Sequence, residues 1–237
     1  MLGIRAQRKK GGKEEAEKPF WISFSDLMTA LMVLFLVAMA VALMAVTKQI
    51  ADEKIKGEQR VETISSCMVD MRQVVEDFKG ITIRGYSIDF GTLAEFKIAD
   101  HRLDSAQESV VRSIVRKVLE TARRDSCKKW LKRVVIEGFA SEEGTYLYNL
   151  NLSFLRSQRI LCAVLNSKAP DPLSKDDRKL IRTLFLAGGS SFNTAQTTSA
   201  QMRRVELKLE FRDLGIPEEL AREITREDYQ NCPNDLR

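Results

Sequence analysis

The alternation of apolar and polar positions changes character several times along the chain, and each change predicts a different element. From Leu27 to Val46 there are 20 consecutive residues without a charge, the length that crosses the hydrocarbon core of a bilayer as one helix. Beyond it, apolar residues fall at Val61, Ile64, Met68, Met71, Val75 and Phe78, spaced three and four apart like a heptad seam. The stretch ITIRGYSIDF alternates and predicts a strand. DSAQESVVRSIVRKVLETARR has helical spacing, with Asp104 or Ser105 as N-cap and Gln107 or Glu108 three residues on. RVVIEGFA predicts a buried strand ended by Gly138, GTYLYNLNLSFLRSQRILCAVLNS a second long helix, and RRVELKLEF a closing strand. The order strand, helix, strand, helix, strand predicts an α/β sandwich, with helices on one face of a small mixed sheet.

This pattern divides the chain into a basic tail (1–19), a membrane helix (20–46), a helical linker (47–80), an outer domain (81–213) and a C-terminal tail (214–237). Lys54 and Gly57 interrupt the seam upstream, which predicts a looser stretch over 47–60. The seam over 61–78 has two readings: a short parallel coiled coil joining two copies, or an amphipathic helix packed on its own domain. The stretch from Ala169 to Ala200 carries no pattern that fixes its fold.

Charge sets the orientation. Arg5, Arg8, Lys9, Lys10, Lys13 and Lys18 precede the span, and although Glu14, Glu15 and Glu17 soften the net charge there, acidic residues weigh little in orientation, so the N-terminus is expected in the cytoplasm and the rest outside. The apolar run exceeds the h-region of a signal peptide and no A-x-A site follows it. The remaining charges are nearly balanced, which argues against a nucleic-acid surface. Cys67, Cys127, Cys162 and Cys232 all follow the span, as expected of disulfides in an oxidising compartment. Of the three possible connectivities, Cys67–Cys127 with Cys162–Cys232 is preferred, and buried free thiols are the alternative.

One acid, Asp26, sits at the cytoplasmic side of the apolar slab. A charge near the middle of a membrane helix costs about 2.5–3.5 kcal/mol, so a carboxylate inside the slab is expected to face other helices or a water path rather than lipid. Ser23 and Thr29 lie three residues either side, and Ser25 is its neighbour. A desolvated carboxylate binds and releases a proton near neutral pH, which suits an ion relay. Snorkelling to the headgroups or helix-packing glue is the plainer alternative.

The segment WISFSDLMTALMVLFLV resembles the membrane segment of MotB-type stator proteins. The resemblance implies that Asp26 is the ion-binding carboxylate, supported by Ser23, Ser25 and Thr29. It also implies that two such helices form a homodimer inside a ring of MotA-like subunits. VVIEGFASEEGTYLYNLNLSFLRSQRIL resembles the OmpA-like peptidoglycan-binding signature, and MRRVELKLEF its closing strand. That resemblance implies an OmpA-like periplasmic domain whose groove is lined by Ser141, Tyr148, Asn149, Leu152 and Arg156, with Arg156 meeting a stem-peptide carboxylate. The chain departs from the pattern where Phe139, Ala140 and Ser141 stand in place of His-Thr-Asp. The acid that meets the diaminopimelate ammonium is therefore missing, and Glu142 or Glu143 is the candidate substitute; a domain kept only for dimerisation is the alternative.

Taken with EKPFWISFSDLMTALMVLFLV and LFLAGGSSFNTA, these stretches resemble the B-type subunits of Zorya anti-phage systems. The expectation is a single-pass protein of the bacterial inner membrane that conducts an ion with ZorA-type partners, a proton by resemblance with sodium as the alternative, and holds peptidoglycan. It needs no cofactor beyond the translocated ion, no metal and no nucleic acid. Enzymatic chemistry is not expected: His101, the only histidine, lies in a loop-like stretch, and Gly188–Gly189 alone does not make a phosphate loop. A flagellar-type stator and a passive wall tether are the competing readings.

Overall fold

The computed structural model describes residues 14–192 and 202–214, and the chain divides into two compact units, Met1–Lys56 and Gly57–Arg237. Helix α1 runs from Glu14 to Val75 without a break, so the looser stretch expected over 47–60 is helical. Neither Lys54 nor Gly57 stops it, because a single glycine costs a helix interior only about 1 kcal/mol.

In the first unit the described apolar side chains are exposed: Leu34 is 68% and Phe35 66% accessible. This is the one helix among the described residues long and apolar enough to cross a membrane. So much aliphatic surface is stable only against lipid or other helices.

The second unit begins earlier than the sequence suggests. Ile64, Met68, Met71 and Val75 are buried, and all but Ile64 belong to the domain's own core together with Cys67. The coiled-coil reading of 61–78 is therefore corrected: the heptad seam docks on its own domain, while Val61 is 64% exposed. Three- and four-residue spacing marks an apolar stripe but does not say what covers it. A disulfide joins Cys67 to Cys127, with the two Cα atoms 4.9 Å apart. Asp70 accepts from Ser126 Oγ at 2.7 Å and lies 3.6 Å from Arg124. Cys162 is half-buried on a later helix, and Cys232 lies outside the described residues.

The strand expected over 81–90 is two strands, β1 (Thr82–Arg84) and β2 (Ser87–Asp89), paired antiparallel around a turn. Gly85, at φ 57°, supplies the left-handed conformation this tight reversal needs. Helix α2 (Ser105–Ala122) opens on a capping box: Gln107 N donates to Asp104 Oδ1 at 2.8 Å, and Asp104 N donates to Gln107 Oε1 at 3.0 Å. Val111, Ile114, Val115, Val118 and Leu119 form its buried stripe. The short α3 (Asp125–Lys128) carries Cys127. Then follow β3 (Leu131–Gly138), α4 (Tyr146–Leu165), α5 (Lys175–Leu184), β4 (Phe185–Gly189) and β5 (Val205–Phe211).

The sheet order is β1-β2-β5-β3-β4, with β3 and β4 parallel and the other pairs antiparallel. The stretch from Ala169 to Ala200, opaque in the sequence, thus supplies α5 and an edge strand. Val134 and Ile136 face the core opposite Leu209 and Leu207, whereas Lys208 and Leu186 are exposed on alternate positions, and Lys132 is exposed at the register shift between Leu131 and Arg133. The fold is the expected α/β sandwich: one face of a small mixed sheet carries the helices. Helix α4 crosses very close to the ends of β3 and β4, where a Cβ on Gly138 would stand 1.9 Å from Ser153 O and one on Gly189 2.6 Å from Ser153 Oγ.

Candidate functional site

On α1, Asp26 opens a shallow groove whose other walls are Thr29, Ala30, Val33, Leu34, Val37 and Ala38. The spacing of three, four and seven residues puts these side chains on one helix face. Small side chains at Ala30 and Ala38 leave room for a close neighbour. Thr29 Oγ1 donates to Ser25 O at 2.7 Å, so its lone pairs, rather than its proton, face outward beside the carboxylate. The Ser23 side chain lies outside what is described. An acid on a groove of small and hydroxyl side chains, in an otherwise apolar helix, is chemically equipped to hold one cation or proton once surrounding helices exclude water.

In the second unit, the end of β3, the loop after it and the start of α4 form a single locality. Phe139 N donates to Arg204 O at 3.0 Å, Ala140 N to Ser191 O at 2.9 Å, and Ser190 N to Gly138 O at 3.0 Å. Ser141 is buried and its Oγ donates to the Glu143 carboxylate. Gly144 then takes φ 104°, and Thr145 caps α4 by accepting from Tyr148 N at 3.3 Å. Asn149 is buried and its Nδ2 donates to Glu143 O at 3.1 Å. The loop therefore holds Glu143 from both ends, through its carboxylate and through its carbonyl. Tyr148 is about half exposed and Leu152 is buried beneath.

Arg156 departs from its expected role. Its side chain is fully buried, with Nε donating to Asp100 O at 3.0 Å, Nη1 to Phe139 O at 2.7 Å and Nη2 to Lys97 O at 3.2 Å. Burial, reinforced by the nearby Arg203, brings the guanidinium down to about 10. A charge so placed fastens the 97–100 loop and the end of β3 to α4; it is not presented to solvent for a ligand carboxylate. The helical stripe of α4 already placed position 156 with Leu152 and Ile160 on the inner face, so the signal was available.

The loop it holds is itself tied. Asp100 accepts from Arg102 Nε at 3.0 Å and Nη2 at 2.9 Å, and Arg102 holds its carboxyl at about 2. His101 is half-buried; burial first, then the neighbouring Arg159, push its imidazole below the usual histidine range.

A second charged group was not foreseen. Arg204 is buried with Nη2 2.7 Å from Glu206 Oε1 and Nε 3.4 Å from Asp89, and its guanidinium lies 4.3 Å over the Phe139 ring. Arg84 also pairs with Asp89. Phe139 is thus gripped twice, by Arg156 at its carbonyl and by Arg204 at its ring.

The family model described as the membrane MotB of the proton-channel complex MotA/MotB matches residues 5–52, the segment that contains Asp26. Among solved structures, a MotB-like protein from Desulfovibrio vulgaris is 17% identical, covering 65% of this chain and 98% of that one at a TM-score of 0.44. The OmpA-like domain of FopA1 from Francisella tularensis subsp. tularensis SCHU S4 is 18% identical, covering 56% and 82% at a TM-score of 0.35. Zorya protein ZorB from Escherichia coli O139:H28 (strain E24377A / ETEC) is 39% identical over 230 residues, which is 94% of this chain and 93% of that protein. With an alignment that spans nearly the whole of both chains, the chain belongs to the ZorB family, as a MotB-like membrane protein.

Proposed function

We propose that this chain is the B-type subunit of a proton-driven membrane motor that acts in anti-phage defence and is anchored to peptidoglycan. Asp26 is the ion-binding carboxylate. Two copies place their Asp26 faces inside a ring of MotA-like, ZorA-type subunits in the bacterial inner membrane, with the N-terminus cytoplasmic and the outer domain periplasmic. The observation that carries this reading is a lone acid on a small-residue groove, within the segment the MotB model matches. Each proton crossing 100 mV releases about 2.3 kcal/mol, and neutralising Asp26 changes which ring surface its helix face prefers.

Wall binding follows the loop at the start of α4. Glu143, held by Ser141 and Asn149, takes the place of the absent family aspartate and meets the ammonium of the stem peptide, with Tyr148 beside it. Arg156 positions this loop rather than touching the ligand.

The test is phage plating on cells carrying the gene and its neighbours, wild type against Asp26→Asn at matched membrane levels. Protection that vanishes with Asp26→Asn supports the motor. Protection that survives overturns it and leaves a passive tether.

A further inference from the structure

The stretch of α1 that docks on the outer unit is held unevenly along its length. The chain enters this unit at Gly57. Its first turns are held by surface contacts: Arg60 Nε donates to Arg212 O at 2.7 Å, Arg60 pairs at 3.2 Å with an Asp213 that is 79% exposed, and its guanidinium lies 5.9 Å from the Trp130 ring. Only Ile64 is buried in this part, and it stands apart from the main core. Solvent-exposed pairs of this kind hold weakly.

From Cys67 onward the helix is core. Cys67, Met68, Met71 and Val75 are buried among the β-sheet and α2 side chains, and the covalent bond to Cys127 sits at the first of them. A helix lifted from its N-terminal end loses contacts in sequence order, because each freed turn exposes the next. The crosslink lies where the weak contacts stop and the core contacts begin.

We propose that Cys67–Cys127 is a peel stop: it confines opening of the docked helix to Gly57–Ser66 and keeps Met68–Val75 seated on the core. Freed and extended, residues 57–66 give up about 20 Å of chain, from about 1.5 Å per residue in the helix to about 3.4 Å extended. Without the stop, release to Val75 gives about 36 Å. The bond thus sets how far this unit gives way before its core is disturbed. The inference stands on the outer unit alone and does not depend on the motor reading.

The experiment is amide hydrogen exchange on the full chain in lipid nanodiscs, oxidised and after reduction, with Cys127→Ala as a second sample. In the oxidised protein, amides of 58–66 exchange at least about tenfold faster than those of 68–75. After reduction, and in Cys127→Ala, the 68–75 amides rise about tenfold or more to join 58–66, while β3 and β5 keep their protection. Unchanged exchange over 68–75 in both samples overturns the proposal. Loss of protection in β3 and β5 together with 68–75 also overturns it, since the bond then staples the whole domain rather than stopping a peel.

Discussion

Arg156 Nη1 donates to the carbonyl of Phe139 at 2.7 Å, joining the middle of α4 to the residue just past the end of β3. With the bonds to Asp100 and Lys97, one guanidinium saturates three carbonyls from two loops. Arg156→Met removes every donor while keeping much of the volume, and each stranded acceptor costs about 1 kcal/mol or more. We expect a loss of about 3 kcal/mol, read as a lower urea midpoint of the solubilised chain. Wall binding falls with it. A variant that keeps wild-type stability yet loses wall binding returns Arg156 to direct ligand contact.

The glycines where α4 crosses the sheet predict a contrast. Gly138→Ala drives a methyl to 1.9 Å from the Ser153 backbone oxygen, whereas at Gly188 the nearest atom is Val135 Cγ1 at 3.8 Å. Overpacking that a helix backbone must absorb costs about 3 kcal/mol, near 10 °C in a domain of this size. Thermal melts should show that drop for Gly138→Ala and a change within about 2 °C for Gly188→Ala. Equal melts would mean that α4 moves away freely.

Acid sensitivity follows from carboxylates held below their ordinary range, of which Asp100 and Asp171 are two. Asp100 lies at about 2 because Arg102 hydrogen-bonds it, and Asp171 is lowered chiefly by Arg112, with Ser109 adding a hydrogen bond. A depressed carboxylate contributes stability that is complete above its unfolded value of about 3.9 and is lost as pH falls through the folded one. Stability should therefore drop between about pH 4 and 2. Asp100→Asn with Asp171→Asn flattens that limb in an acid titration monitored by circular dichroism. A double variant that falls in parallel with wild type assigns the acid limb to other groups.

For the wall, Glu143→Gln removes the charge while leaving an acceptor for Ser141. Co-sedimentation with purified peptidoglycan should weaken about tenfold, the scale of one charge-assisted hydrogen bond. Glu142→Gln should stay within about twofold. Equal losses would move the contact from a held side chain to the general charge of the loop.

Much of this fold was legible from periodicity. The α2 cap, the β3 end at Gly138 and the closing strand β5 stand where the pattern put them, because local chemistry decides each one. The hairpin at Gly85 has the pattern of one strand, since alternation continues across a tight turn and only a left-handed glycine marks the break. The heptad seam was ambiguous for a different reason: an apolar stripe is equally satisfied by a second copy or by the chain's own sheet. Strand β4 was invisible because FLAGG is short, small and supported by its parallel neighbour β3 rather than by its own propensity. At the site, residue types named the locality, but only the packing of α4 shows that Arg156 is turned inward and that Ser141 and Asn149 converge on Glu143.

The position of β5 has a consequence for how the chain is made. It is the middle strand of the sheet, between β2 and β3, yet among the described residues it is the last strand in sequence. A polypeptide leaving the ribosome N-terminus first exposes β2 and β3 long before the strand that joins them exists. The β1–β2 hairpin and the β3–β4 pair therefore wait as separate halves until Phe211 has emerged. Any chain stopped short of Phe211 therefore holds two unjoined halves, and a single missing strand costs the sheet both of its central pairings.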